Sequence, residues 1–250
     1  MTNAAALPLV LVGASGRMGQ AIARIAGESP ALFTVIARAS EGDDLTMIAR
    51  GAAGRGAVAI DFSSPEGTRA FAPIAAEAKL PIVVGTTGLG DADRAALERA
   101  ASAIPIFVAS NMSVGVYVLG ALVTQAATML GDDFDVEIVE AHHKKKADAP
   151  SGTALTLLEA VRRGLEGEHP VVHGRSGRPG ARPPREIAMH AVRGGDVVGD
   201  HSVHYLGEGE RLELVHRATS RDVFARGALR AARFLAARAP GLYGMPDLFR

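Results

Sequence analysis

The chain has 250 residues, 48 % of them hydrophobic and 22 % charged, with 27 basic residues balancing 27 acidic ones. That apolar share excludes intrinsic disorder, and zero net charge leaves no global field to favour nucleic acid or an anionic membrane. Cysteine is absent, which removes disulfide frameworks, thiolate metal sites and cysteine nucleophiles together.

At about 150 residues per domain, the length suits one large or two smaller units. The start, Met1-Thr2-Asn3-Ala4-Ala5-Ala6-Leu7-Pro8, lacks the basic residue that opens a signal peptide. No apolar run is expected to reach the ~18 residues of a membrane span, so a soluble, cytoplasmic protein is expected. Glycine is over-represented, 29 of 250 against a usual ~7 %, which points to tight loops and close backbone approaches.

The first 110 residues alternate strand and helix. Residues 9–12 form a short apolar run suited to a strand covered on both faces. A helix follows over 17–26, with Met18, Ile22 and Ile25 at helical spacing. Strands are expected at 33–37 and 58–61. Ser64 and Pro65 then cap and open a helix that runs to about residue 79. A strand at 81–84, a helix capped by Asp91 over 91–103 and a strand at 106–109 complete the series. Strands alternating with helices imply an α/β doubly wound, Rossmann-like parallel sheet, which binds ligands at the carboxyl ends of its strands.

Those ends carry small and polar residues: Gly13-Ala14-Ser15-Gly16-Arg17-Met18-Gly19, Asp61-Phe62-Ser63-Ser64, Gly85-Thr86-Thr87-Gly88 and Ser110-Asn111-Met112-Ser113. A glycine turn at a helix N-terminus makes an anion site suited to a pyrophosphate. The spacing is G-x-x-G-x-x-G, with Ser15 in place of the second glycine of the stricter fingerprint. After the second strand, an NAD site usually offers an acid to the ribose 2′-hydroxyl. Here Arg38-Ala39-Ser40 stand first, with Glu41, Asp43 and Asp44 later. A cation plus a hydroxyl suits a 2′-phosphate, so NADPH is favoured over NADH, or both are used.

A helix over 114–129 leads out of this region, followed by an alternating strand at 135–141. That strand runs into His142-His143-Lys144-Lys145-Lys146-Ala147-Asp148-Ala149-Pro150-Ser151-Gly152-Thr153. A bare charge run is ordinarily a solvated loop. This one is short, pinned between a strand and a helix, and followed by the amides of Gly152 and Thr153. Lysines, histidines and free N–H groups together describe a pocket for a small dicarboxylate. A metal is not expected: adjacent histidines on extended chain point to opposite sides, and three lysines repel a cation.

Ser151 opens a helix to about residue 166. Residues 167–184, rich in Gly, Pro and Arg, then read as a long surface flap with little structure of its own. Arg175, Arg178, Arg182 and Arg185 could otherwise meet a polyanion. Strands at 187–192, 201–206 and 211–216 follow, the last two joined by a Gly207-Glu208-Gly209-Glu210 hairpin. With 135–141 they make an open mixed sheet in a smaller α+β domain, one face of which is left for assembly. His190, His201, His204 and His216 lie on these strands without an assigned role. Phe224, Ala228, Ala231 and Leu235 mark one face of a final helix.

The run Glu140-Ala141-His142-His143 … Lys146-Ala147-Asp148-Ala149-Pro150-Ser151-Gly152-Thr153-Ala154 closely resembles the signature of the dihydrodipicolinate reductase family. The glycine turn, Asp61-Phe62-Ser63, Gly85-Thr86-Thr87-Gly88, Asn111-Met112-Ser113-Val114-Gly115-Val116, Arg193-Gly194-Gly195-Asp196 and Pro240-Gly241-Leu242-Tyr243-Gly244-Met245 extend the likeness along nearly the whole chain. The resemblance implies reduction of a cyclic dicarboxylate on the route to diaminopimelate and lysine. It implies His142 and Lys146 as the acid–base pair, with His143, Gly152 and Thr153 holding substrate. Gly13, Ala14, Ser15, Gly16, Arg17, Met18, Gly85, Thr86, Thr87, Ala109, Ser110, Asn111 and Met112 are implied to bind the nicotinamide cofactor, with Arg38 added from the strand-end argument. It implies a homotetramer, and a discontinuous nucleotide domain of residues 1–112 and 220–250 around a substrate-binding and oligomerisation domain of 113–219. The chain departs from the family where an acid and an arginine are common, at Ala39 and Ser40, and where Phe is common, at Met112. Two other readings share the first domain: a dehydrogenase of another small acid or aldehyde, and a non-catalytic NADPH-sensing or RNA-binding protein.

Overall fold

Apolar runs buried on both faces become the strands of a parallel sheet in the first part of the chain. The computed structural model describes residues 5–250; part of the N-terminal stretch read above for a leader, residues 1–4, lies outside them. In chain order the elements are β1 (Leu7–Val12), α1 (Arg17–Gly27), β2 (Phe33–Ala39), α2 (Leu45–Ala52), β3 (Val58–Asp61), α3 (Pro65–Glu77), β4 (Ile82–Val84), α4 (Asp91–Ala101) and β5 (Pro105–Val108). Then come α5 (Val114–Leu130), β6 (Asp135–His142), α6 (Gly152–Gly164), β7 (Val171–His173), β8 (Ile187–Arg193), β9 (Gly199–Leu206), β10 (Arg211–Ala218), α7 (Asp222–Leu235) and β11 (Gly241–Tyr243). The chain divides into two units, one running to Ser113 and resuming over Asp222–Arg250, the other Val114–Arg221.

The first unit is a Rossmann-like α/β layer with strand order β11-β5-β4-β3-β1-β2, and every neighbouring pair is parallel. Strand order reverses between β1 and β3, the switch point where such sheets open a crevice. There Phe62 N–H donates to the Val12 carbonyl at 3.0 Å. Gly13, at φ +76°, lies so close to Phe62 that a Cβ would stand 2.6 Å from its carbonyl oxygen. Ser64 caps α3 by accepting from Gly67 N–H at 3.1 Å.

Three details of this unit differ from the sequence expectation. Helix α2 was not foreseen: Asp44, read only as a late acid, caps it by accepting from Met47 N–H at 3.0 Å. Helix α4 is capped at Gly90, whose N–H donates to Asp93 at 2.9 Å, so Asp91 is its first helical residue rather than its cap. Strand β11, three residues none of which is buried, adds a sixth strand beside β5. Strand β4 is equally short but is an unbroken buried Ile-Val-Val run, a signal that Gly-Leu-Tyr lacks.

Helix α7 buries Ala225, Ala228, Ala231, Ala232 and Leu235. Its approach to the end of β5 is so close that a Cβ on Gly227 would lie 1.8 Å from the Met112 carbonyl oxygen.

The second unit is a mixed sheet of order β10-β9-β6-β8-β7, with β6, β8 and β7 parallel and β9 and β10 antiparallel. Leu119, Val123 and Ala127 of α5 and Leu157 and Val161 of α6 cover Ile138, Met189, Val203 and Tyr205 on one face. The apolar stretch Val114–Asp133, 20 residues with mean hydropathy 1.6, is long enough to cross a membrane, which corrects the expectation that no run approaches that length. In this unit α5 is a core helix: Tyr205 donates to the Val123 carbonyl at 2.7 Å, and Thr124 donates to the Ala160 carbonyl at 2.8 Å.

Residues 167–184 are also more structured than expected. They contain β7, which pairs with β8. Arg175 engages Glu137 and Glu186, Arg182 engages Asp135 and Glu137, and just beyond them Arg185 reaches Asp132. Three of the four arginines considered for a polyanion are therefore paired with carboxylates of their own unit.

The Gly227 contact supplies a test of how α7 docks. Gly227→Ala forces the helix away from Met112, and overpacking of this kind costs about 1–3 kcal/mol. A lowered melting midpoint is expected in a thermal shift assay; an unchanged midpoint would show that the helix can slide.

Candidate active site

Two polar clusters stand out, one on each unit. In the first unit, Gly16 is the extended N-cap of α1 and brings no side chain to its first turn. The first amides of a helix have no partner within it and carry the positive end of its dipole. They open onto a cavity of about 380 Å³ lined by Gly16, Arg17, Met18, Phe62, Ser63, Gly85, Thr86, Thr87, Ser110, Asn111, Met112 and Phe224.

Nine of the residues singled out for the cofactor are thus brought together. Gly13, Ala14 and Ser15 form the turn beneath: Ala14 N–H donates to the Ala39 carbonyl at 2.9 Å, and Gln20 holds the Ser15 carbonyl at 2.8 Å. Ala109 is also outside the lining, its N–H given to Val84 at 3.1 Å. Arg38 is exposed at the end of β2, away from the cavity wall.

Phe62, Ser63 and Phe224 complete the lining, and none of the three was assigned to the cofactor. A Cβ on Gly85 would stand 2.2 Å from the Phe62 ring, so this glycine makes room for an aromatic wall. The neighbouring Asp61, 1 % exposed, accepts from Ser63 N–H at 2.9 Å, Ser63 O–H at 2.6 Å and Thr68 O–H at 2.6 Å. Burial nevertheless pushes its carboxyl above the ordinary range.

In the second unit the period of β6 decides the geometry. Val136, Ile138, Glu140 and His142 alternate onto one buried face. Glu140, 1 % exposed, accepts from His142 Nδ1 at 2.6 Å and from both terminal nitrogens of Arg193 at 2.7 Å. It also accepts from Ser151 N–H at 3.0 Å. Burial drives its carboxyl upward, but the Arg193 bonds, with those of His142 and Ser151, more than offset that and hold it below the usual carboxylate range.

With Nδ1 committed to Glu140, the working atom of His142 is Nε2. Gly199 leaves that side open, since a Cβ there would come within 3.1 Å of Nε2. His201 lies edge-on to His142, ring centroids 5.1 Å apart, and shares a 3.1 Å hydrogen bond with Ser151 Oγ. Burial, then the charge of His142, pushes His201 down to about 4.

The basic run turns back on itself. His143 N–H donates to Val197 at 2.8 Å, and Lys146 N–H to the His143 carbonyl at 3.0 Å. Lys146 Nζ lies 2.8 Å from Asp148, and this lysine holds the Asp148 carboxyl below its ordinary range. Arg193 also donates to the Asp148 carbonyl at 2.7 Å. Arg221 donates to His143 Nε2 at 3.3 Å, so the two adjacent histidines face different partners. Ser151 caps α6 through Ala154 N–H at 3.2 Å, with Gly152 exposed at the mouth. Among the described residues, no group of three or more His, Asp or Glu could hold a metal.

The chain matches two family models end to end: dihydrodipicolinate reductase, N-terminus, over residues 7–112, and dihydrodipicolinate reductase, C-terminus, over 115–249. The chain belongs to the dihydrodipicolinate reductase family. A protein of Myxococcus xanthus named 4-hydroxy-tetrahydrodipicolinate reductase is 46 % identical, covering 96 % of each chain. One of Akkermansia muciniphila with the same name is 46 % identical over 97 % of each. The dipicolinate-bound dihydrodipicolinate reductase of Paenisporosarcina sp. TG-14 shares the fold, with a TM-score of 0.76, 21 % identity and coverage of 97 % and 99 %. As a member of this family the chain is an NAD(P)H-dependent oxidoreductase of the diaminopimelate and lysine route.

Within that frame Glu140, Arg193 and His201 are the residues of the cluster that sequence reasoning left without a role. Glu140 had a legible signal, because residues two apart on a strand share a face. Arg193 and His201 reach the cluster only through β8 and β9, and spacing along the chain does not show that.

Two outcomes are expected. Glu140→Gln should leave His142 without its anionic partner, lowering kcat by ~10²-fold, within the span of positioned acid–base catalysis, with cofactor binding retained in a titration. His201 should make stability pH-dependent. Its folded pKa lies near 4, below the ordinary ~6.5, so the unfolded chain binds more protons between these values and stability falls as pH drops from 6.5 to 4. Melting curves of His201→Gln should be flatter across that window than those of the wild type.

Proposed function

We propose that this protein reduces 4-hydroxy-tetrahydrodipicolinate to tetrahydrodipicolinate, with His142 and Lys146 as its acid–base groups. The observation that carries the reading is the buried Glu140, which joins His142 Nδ1 to the Ser151 N–H that precedes α6, at the start of the run that includes His143 and Lys146. A ring with two carboxylates needs fixed donors and positive charge, and this run offers both without ordering long side chains at each encounter. We assign His143, Gly152 and Thr153 to hold the carboxylates.

Loss of the 4-hydroxyl as water leaves a conjugated cyclic imine, and its reduction leaves an electron-rich enamine that must be protonated. Lys146 Nζ is the proton donor in this proposal. His142, its Nδ1 proton held by Glu140, takes up and returns protons at Nε2. When bound, the dihydronicotinamide supplies the hydride.

The cavity of the first unit fits that cofactor. The bare first turn of α1 suits its pyrophosphate, and the wall of Phe62, Thr86 and Met112 suits a flat ring. For the adenosine end we propose a preference for NADPH, or use of both forms. Asp43 accepts from Ser40 N–H at 2.8 Å and Asp44 caps α2, so two of the three acids after β2 are turned to backbone amides, while Glu41 and Arg38 stand exposed. We place the reaction in the cytoplasm. We also propose assembly as a homotetramer through the face of the second sheet away from α5 and α6, where Val192, Leu206 and Val215 are exposed.

The deciding assay follows NADPH oxidation on adding the condensation product of aspartate semialdehyde and pyruvate, with pyridine-2,6-dicarboxylate as inhibitor. Oxidation that depends on the condensation product is expected, and its absence overturns the reading. Lys146→Ala should lower turnover by ~10²-fold or more while cofactor binding persists. Arg38→Ala should raise KM for NADPH relative to NADH; an unchanged ratio removes Arg38 from the cofactor site.

A further inference from the structure

A charge that the proposed chemistry does not use lies beneath the cavity of the first unit. The carboxyl of Asp61 is 1 % exposed and takes three donors: Ser63 N–H, Ser63 O–H and Thr68 O–H. Thr68 Oγ1 is in turn 2.9 Å from Thr86 Oγ1. Ser63 and Thr86 both line the cavity.

A hydroxyl carries one proton and two acceptor positions. At 2.6 Å from a carboxylate, Thr68 gives its proton to Asp61, so the proton in the Thr68–Thr86 contact belongs to Thr86. Ser63 likewise gives its proton to Asp61 at 2.6 Å. These two of the cavity-lining hydroxyls, Ser63 and Thr86, then direct their protons inward and present lone pairs to a ligand. Close packing keeps Ser63 in place: a Cβ on Gly67 would stand 2.7 Å from its Oγ.

We infer that Asp61 is a positioning residue whose carboxyl oxygens, as acceptors of the Ser63 and Thr68 protons, set the direction of these hydrogen bonds, making this corner an acceptor-only wall for the carboxamide N–H₂ of the nicotinamide ring. The inference rests on the nicotinamide reading of the cavity and deepens it. An anion is disfavoured at such a wall, which leaves the pyrophosphate to the bare amides of α1. A neutral amide at position 61 reverses the relay: its N–H₂ donates to Thr68, Thr68 donates to Thr86, and the Thr86 proton turns to the cavity.

The test compares the reduced cofactor with its 3-acetylpyridine analogue, in which a methyl replaces the carboxamide N–H₂. Binding is read from dihydronicotinamide fluorescence with wild type, Asp61→Asn and Thr68→Val. Wild type should bind the parent cofactor roughly three- to tenfold more tightly than the analogue, the span of one net hydrogen bond. Both variants should bring that ratio close to one by weakening the parent more than the analogue. Thr68→Val cuts the relay with little change of shape, so it decides the matter if Asp61→Asn does not fold. A wild-type ratio near one, or a ratio unchanged in the folded variants, overturns the role of Asp61. Failure of the wild type to bind any dihydronicotinamide overturns instead the cofactor reading beneath it.

Discussion

A carboxylate withdrawn from water must be met by donors, and the second unit is organised around how Glu140 meets that demand. Its two oxygens gather a forked guanidinium from the end of β8, an imidazole from its own strand and the amide that precedes α6. A bidentate Arg–carboxylate pair is among the strongest polar contacts available to a protein, and here it outweighs burial. One ionised group thus fixes the His142 ring, the mouth of α6 and, through the Arg193 bond to Asp148, the far end of the basic run. The cationic loop is held by an acid that is not part of it.

The first unit uses the same device with opposite electrostatics. Asp61 also ends a buried strand, but its donors are hydroxyls and one amide, and burial wins over them. No guanidinium or ammonium group is among its hydrogen-bonding partners. The contrast suits the two ligands proposed: a cationic mouth for a dianion on one unit, a neutral, acceptor-rich wall for a carboxamide on the other.

Glycine, conspicuous in the composition, serves the packing of chain on chain at the positions that shape the first cavity. A side chain on Gly13 would strike Phe62, one on Gly19 would strike Gly13, and one on Gly85 would fill the space of the Phe62 ring. The nucleotide cradle is therefore built by letting three loops touch one another. Room for a ligand follows from that contact.

Period and turn chemistry were enough to read the doubly wound architecture, the strand ends that line the first cavity, the alternation of β6 and the capped start of α6. These are local properties, set by neighbours within a few residues. Helix α2 and strand β11 escaped notice because one is short and the other, Gly-Leu-Tyr with no buried residue, lacks the apolar run that marks the equally short β4. Contacts brought about by folding lay beyond reach for a different reason. Arg193 and His201 stand 53 and 61 positions after Glu140, and only the pairing of β8 and β9 with β6 delivers Arg193 to its carboxylate and His201 to the His142 ring beside it. Arg175 and Arg182 looked like free surface charge until the sheet set acids opposite them. The sequence by itself determined which residues could do the chemistry; the tertiary structure decided which of them share a buried charge, because a desolvated carboxylate selects its partners by distance in space.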